Sequence, residues 1–163
     1  VWGIDGVLKS VQDPENFSQG DPCEKLKLKE GKKSVLEGVP RSLPALVKAT
    51  RIQDKARGAG FDWEETKQVW AKLREEISEL EAEVEAADPE KIEAEFGDVL
   101  FSLINISRFI KVDPESALER TNKKFIRRFQ YLEEATKAKG LQLDEMSLEE
   151  MDRYWDEAKA KGL

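Results

Sequence analysis

Histidine is absent from this chain of 163 residues. That excludes Ser-His-Asp and Cys-His catalysis, imidazole zinc sites and the Glu-x-x-His di-iron bundle. Acid–base chemistry is left to carboxylate, lysine, tyrosine or metal-bound water. A single cysteine, Cys23, excludes an internal disulfide and any multi-thiolate metal site. No run approaches the ~20 apolar residues that span a bilayer, and no signal peptide is visible. No membrane partner is expected, and the cytoplasm is the default address. Basic residues are outnumbered, 27 against 34, for a net charge of −7. Nucleic acid is therefore not an expected partner, because phosphate backbones demand a basic surface. A small phosphorylated ligand on a local basic cluster stays open. Strand signals are missing too: there is no sustained alternation and no Asn-Gly or Asp-Gly hairpin turn between apolar runs.

What is present reads as helix. The apolar fraction of 39% and charged fraction of 37% fit one helix-rich domain, or one domain plus an arm. Residues 1–38 hold Gly3, Gly6, Gly20, Gly31 and Gly38 with Pro14 and Pro22. They read as an irregular arm or linker remnant, ahead of a helical domain over 39–163. A chain that starts at Val1 rather than Met also reads as a fragment or processed product.

Past Pro40 the period turns helical. Ser42 is the expected cap of a first helix that Gly58 and Gly60 end. Asp62 with Glu65 predicts the start of a second helix, its stripe formed by Val69, Leu73, Ile77, Leu80 and Val84, with Glu76 flanking it. Asp88-Pro89 closes that helix and caps a third, which runs to about Lys111. Asp113-Pro114 repeats the device for a fourth helix ending at Gly140, with Leu118, Thr121, Phe125, Phe129 and Leu132 inward. Ser147 and Glu150 form a capping box for a final helix. The expected fold is all-α: an antiparallel bundle of four main helices plus a C-terminal helix.

Two carboxylate pairs carry the chemistry, Glu76/Glu79 and Glu95/Asp98. Each has i, i+3 spacing and so shares one helix face. The second pair opens an apolar run, Phe96 to Ile106, crossed by a polar stripe of Glu95, Asp98, Ser102 and Asn105. A helix apolar on most of its circumference is expected to be buried. Carboxylates at its mouth need a partner. For several carboxylates together a divalent cation is the simplest one, and hard oxygens suit Mg2+, with Mn2+ as substitute. The bland alternatives are a solvated helix face for the first pair and a dipole-favoured first turn for the second. Two pairs on consecutive helices joined by a short turn should face each other, which favours the metal site.

A basic constellation follows on the fourth helix, where Lys124 and Arg128 share a face and Arg127 lies near it. Arginine suits bidentate phosphate contacts, although solvated charge explains the same pattern. Lys72 and Lys91 each precede an acidic pair by one turn, as ion-pair partners or as reach toward a polyphosphate. Trp155 and Lys159 form another i, i+4 pair.

Taken together, these stretches resemble MazG-type nucleoside triphosphate pyrophosphohydrolases. The resemblance covers about Val39 to Lys159. It is carried by Val39-Pro40-Arg41-Ser42-Leu43-Pro44-Ala45-Leu46, Gly60-Phe61-Asp62-Trp63, Glu75-Glu76-Ile77-Ser78-Glu79, Glu95-Phe96-Gly97-Asp98 and Asn122-Lys123-Lys124-Phe125-Ile126-Arg127-Arg128-Phe129. It implies magnesium ligation by Glu76, Glu79, Glu95 and Asp98. It implies triphosphate contacts or site support from Lys72, Lys91, Lys124 and Arg128, a pocket-facing Asn105, and Trp155 with Lys159 near the nucleotide. It further implies an all-α homodimer. A two-domain relative would carry another such domain upstream, and residues 1–38 are too short for one.

The expected activity is Mg-dependent hydrolysis of nucleoside triphosphate to monophosphate and pyrophosphate. Glu79 would accept the proton of the attacking water, and Lys124 and Arg128 would hold the outer phosphates. The rival expectation is a non-catalytic dimerisation or regulatory module that keeps the fold.

Overall fold

The computed structural model describes residues 34–163, and the expected arm over 1–38 therefore lies almost wholly outside the described residues. Five α-helices follow in order: α1 Ala45–Gly58, α2 Thr66–Ala86, α3 Pro89–Phe109, α4 Pro114–Lys137 and α5 Leu148–Ala160, with a short 3-10 turn at Leu143–Glu145 before α5. Among the described residues there is no strand, so the all-α expectation holds. The chain divides into two compact units, the first through Pro114 and the second over Glu115–Leu163.

In the first unit, α2 and α3 form an antiparallel hairpin. Ala87 turns the chain in the left-handed region (φ 55°), and Asp88 caps α3 by accepting from the Lys91 N–H at 3.4 Å, with Pro89 at the first helical position. Near the turn Lys91 reaches Glu83. Further away Val69 and Leu73 meet Val99, Ile106 and Phe109. Each step back along α2 thus meets a step forward along α3. Helix α1 packs on α3, and the buried Gln53 donates Nε2–H to the Phe101 carbonyl at 2.8 Å.

Several expected boundaries and burials are corrected. Helix α1 starts at Ala45 rather than just after Ser42, because Pro44 disfavours helical geometry in the residue before it. Asp62 does not cap α2. Glu65 holds the cap position, and its N–H donates to the Gln68 side chain at 2.9 Å. The Asp62 carboxylate is drawn instead to Arg108, which it meets in a two-pronged pair with both partners charged. Helix α3 stops at Phe109, two residues short of Lys111, which has positive φ.

The buried line of α2 is Val69, Leu73 and Glu76, stepping by four and three, with Leu80 half-buried one turn further on. Glu76 therefore sits within the stripe rather than beside it, while Ile77 and Val84 fall outside and are exposed. Helix α3 is not buried around its circumference in the single chain. Phe96 is 54% exposed and Leu103 46%, and Leu100 and Phe101 are close behind. Among the described residues of its unit, α1 and α2 are the helices that pack on it.

In the second unit, Phe125 on α4 lies 5.0 Å from Trp155 on α5, and Leu132, Tyr154 and Ala158 are buried. Leu118, Thr121, Phe125 and Phe129, expected inward, are exposed. The 13-residue α5 is too short to cover the 24-residue α4. The capping box before α5 forms as expected: the Ser147 N–H donates to Glu150 at 2.8 Å, and the Ser147 Oγ accepts from the Glu150 N–H.

Candidate metal and nucleotide site

The α2–α3 hairpin brings three carboxylates together. Glu76 and Glu79 from α2 and Glu95 from α3 each offer an oxygen, and these oxygens lie within 4.8 Å of one another. Helical spacing sets one side of this site and the tight turn after Ala86 sets the other. Burial is graded across it: Glu76 is buried, Glu95 half-buried and Glu79 exposed. Asp98, one turn beyond Glu95, is exposed and is not one of the three.

Lys72 partners the buried carboxylate. Its Nζ lies 2.8 Å from both Glu75 and Glu76. Hydrogen bonds to Glu75 and then Glu76 hold its pKa well above the ordinary lysine value. The Glu79 carboxyl is pushed up, first by desolvation and then by the Glu76 charge beside it. A hard, all-oxygen donor set at this spacing fits Mg2+ or Mn2+. Glu76, Glu79 and Glu95 are the described residues that could hold such an ion together.

Lys91 is 3.6 Å from Glu83 and 3.7 Å from Asp88, so it serves the hairpin turn. Asn105 lies on α3 with its Oδ1 accepting from Arg108 at 2.6 Å. The remaining expected residues lie in the second unit. Lys124 and Arg127 are exposed on α4. Arg128 donates Nε–H to the Leu163 carbonyl at 2.7 Å and its guanidinium lies 5.8 Å from the Trp155 ring centre. Lys159 pairs with Asp156 at 2.9 Å. Among the described residues, no helix is long and apolar enough to cross a membrane.

Sequence reasoning missed the Asp62–Arg108 pair. Arg108 Nη2 and Nη1 bond Asp62 at 2.6 and 3.0 Å. The available signal was an arginine three residues after Asn105, at the end of an otherwise apolar helix.

Residues 64–132 match the MazG nucleotide pyrophosphohydrolase domain. The chain is 49% identical over 117 residues to a Thermotoga maritima protein named nucleoside triphosphate pyrophosphohydrolase/pyrophosphatase MazG, covering 72% of this chain and 45% of that one. It is 41% identical over 128 residues to the nucleoside triphosphate pyrophosphohydrolase of Escherichia coli strain K12, covering 77% and 49%. It is 46% identical over 151 residues to the uncharacterized protein YabN of Bacillus subtilis, covering 91% and 31%. The chain thus spans about half the length of the two named hydrolases it matches.

Proposed function

The chain carries, over residues 64–132, a domain of the MazG nucleotide pyrophosphohydrolase family, and on that premise we propose that it hydrolyses nucleoside triphosphates to monophosphate and pyrophosphate with a divalent cation, Mg2+ by preference. The observation that carries this is the trio of Glu76, Glu79 and Glu95, three carboxylates within 4.8 Å drawn from both helices of one hairpin. When bound, the cation supplies charge neutralisation at the phosphate oxygens, the main requirement of phosphoryl chemistry. Glu76 and Glu95, the less exposed members, are the anchoring ligands. Asp98, one turn along from Glu95, is the fourth candidate ligand. Glu79 faces solvent, and its second oxygen is the candidate acceptor for the proton of the attacking water. Lys72 holds Glu76 in place through its 2.8 Å contact. Residue type alone supports Lys124, Arg127 and Arg128 as triphosphate contacts, with Trp155 and Lys159 as nucleoside contacts and Lys91 as support.

We also infer a homodimer. Phe96, Leu100, Phe101 and Leu103 leave a broad apolar face of α3 open in the single chain. Contiguous apolar surface of this kind marks an association site. No observation favours the non-catalytic alternative, and the assembled carboxylate trio counts against it.

The test is a panel of ribo- and deoxynucleoside triphosphates with Mg2+ and with excess chelator, products separated by chromatography. Monophosphate and pyrophosphate in equal amounts, only with the metal, are expected. Release that persists undiminished in chelator overturns the metal site.

A further inference from the structure

A polar triad, Asp62, Arg108 and Asn105, lies outside the carboxylate trio. Arginine carries donors only. Asn105 therefore presents Oδ1 to the Arg108 Nη2, 2.6 Å away, and its amide hydrogens turn away from Arg108. The guanidinium is itself clamped. Asp62 takes both forks at 2.6 and 3.0 Å, the Phe109 ring centre lies 5.3 Å away, and the two side chains are only 13% and 23% exposed. Asp62 and Asn105 engage both Nη atoms of Arg108, while its buried Nε–H has no hydrogen-bond partner among the described residues. Asn105 stands seven residues beyond Asp98, on nearly the same line of α3 and roughly 10 Å along its axis. That is the scale of the reach from a nucleotide's phosphates to its nucleoside.

We propose that Arg108, held by Asp62, is a positioning residue that locks the Asn105 carboxamide as a hydrogen-bond donor toward an acceptor oxygen or nitrogen on the nucleoside of the substrate. This rests on the pyrophosphohydrolase reading above. A fixed amide discriminates where a freely flipping one does not. It rewards an acceptor and leaves a donor unpaired against it. Asp62 thereby ties the loop between α1 and α2 to nucleoside selection without touching the nucleotide.

The experiment is a double-mutant cycle with Arg108→Met, Asn105→Ala and the pair, alongside Asn105→Asp. KM, kcat and melting temperature are measured for each over the nucleotide panel with Mg2+. Arg108→Met is expected to raise KM roughly tenfold for the preferred nucleotide with kcat nearly unchanged. Asn105→Ala should do the same, and the double variant should be no worse than either. Asn105→Asp keeps an acceptor for Arg108, so it should melt like the parent while its preference moves toward nucleotides that offer a donor. Additive KM losses, or an Arg108→Met protein with lowered melting temperature and parental KM, overturn the positioning role. A parent without metal-dependent turnover overturns the pyrophosphohydrolase reading alone. In that case the side-chain amide resonances of Asn105 decide: one sharp pair in the parent that broadens in Arg108→Met supports the lock, and identical spectra refute it.

Discussion

Glu76→Gln should make the metal-free protein more stable and the metal-bound protein less so. Glu76 is 7% exposed and stands within 4.8 Å of the Glu79 and Glu95 carboxylate oxygens. A like-charge pair at that spacing costs about 1 kcal/mol in water and about 3 kcal/mol at the effective dielectric near a protein surface. Glu79 is exposed and Glu95 half-buried, so the screened end of that range applies, about 1–2 kcal/mol for the two together. Against this stands the Lys72–Glu76 pair at 2.8 Å, whose lysine is 35% exposed. Such a pair contributes about 0–1 kcal/mol, and Lys72 keeps Glu75. The net gain is about 1 kcal/mol, a rise of about 3 °C in melting temperature for a chain this size. Mg2+ at one hundred times its dissociation constant would stabilise the parent by about 2.7 kcal/mol, and most of that should vanish in the variant. The assay is a pair of melting curves per protein, with Mg2+ and with chelator. A variant that gains as much from Mg2+ as the parent would show that the trio does not hold the ion.

Three further outcomes follow from the packing. Leu73→Ala, at a position 6% exposed in the hairpin core, should cost about 2–5 kcal/mol by urea unfolding. The isolated chain should scatter light as twice its 18.6 kDa mass, and replacing Phe96 and Leu103 with serine and glutamine should return it to a monomer of unchanged helicity. The Glu150 carboxyl is held below its ordinary 4.5 by the Ser147 N–H and then the Ser147 hydroxyl. A depressed carboxylate contributes stability above its unfolded value and loses it as pH falls through the folded value. Amide protection factors in the first turn of α5, taken relative to intrinsic exchange, should fall below about pH 4.5, and Ser147→Ala should weaken that pH dependence without removing it, because the backbone N–H bond to Glu150 survives, at a cost of about 1 kcal/mol.

Helix number, type and several boundaries were determined by sequence alone, because caps and breakers act locally. Asp88-Pro89 and the Ser147/Glu150 box form as their chemistry dictates, and Gly60 turns the chain with φ 93°. The pairing of Glu76 and Glu79 with Glu95 was also legible, since a two-residue connection leaves consecutive helices little choice but to fold back. Tertiary structure decided what depends on partners distant in sequence. It drew Asp62 from a helix cap to Arg108, 46 residues away. It placed Glu76 inside the buried stripe, because the α2–α3 contact line runs through Val69 and Leu73. It left the apolar faces of α3 and of the first half of α4 exposed in one chain. Periodicity reports that a face is apolar. It carries no record of which surface covers that face, because coverage is a property of the pair of surfaces and not of either sequence.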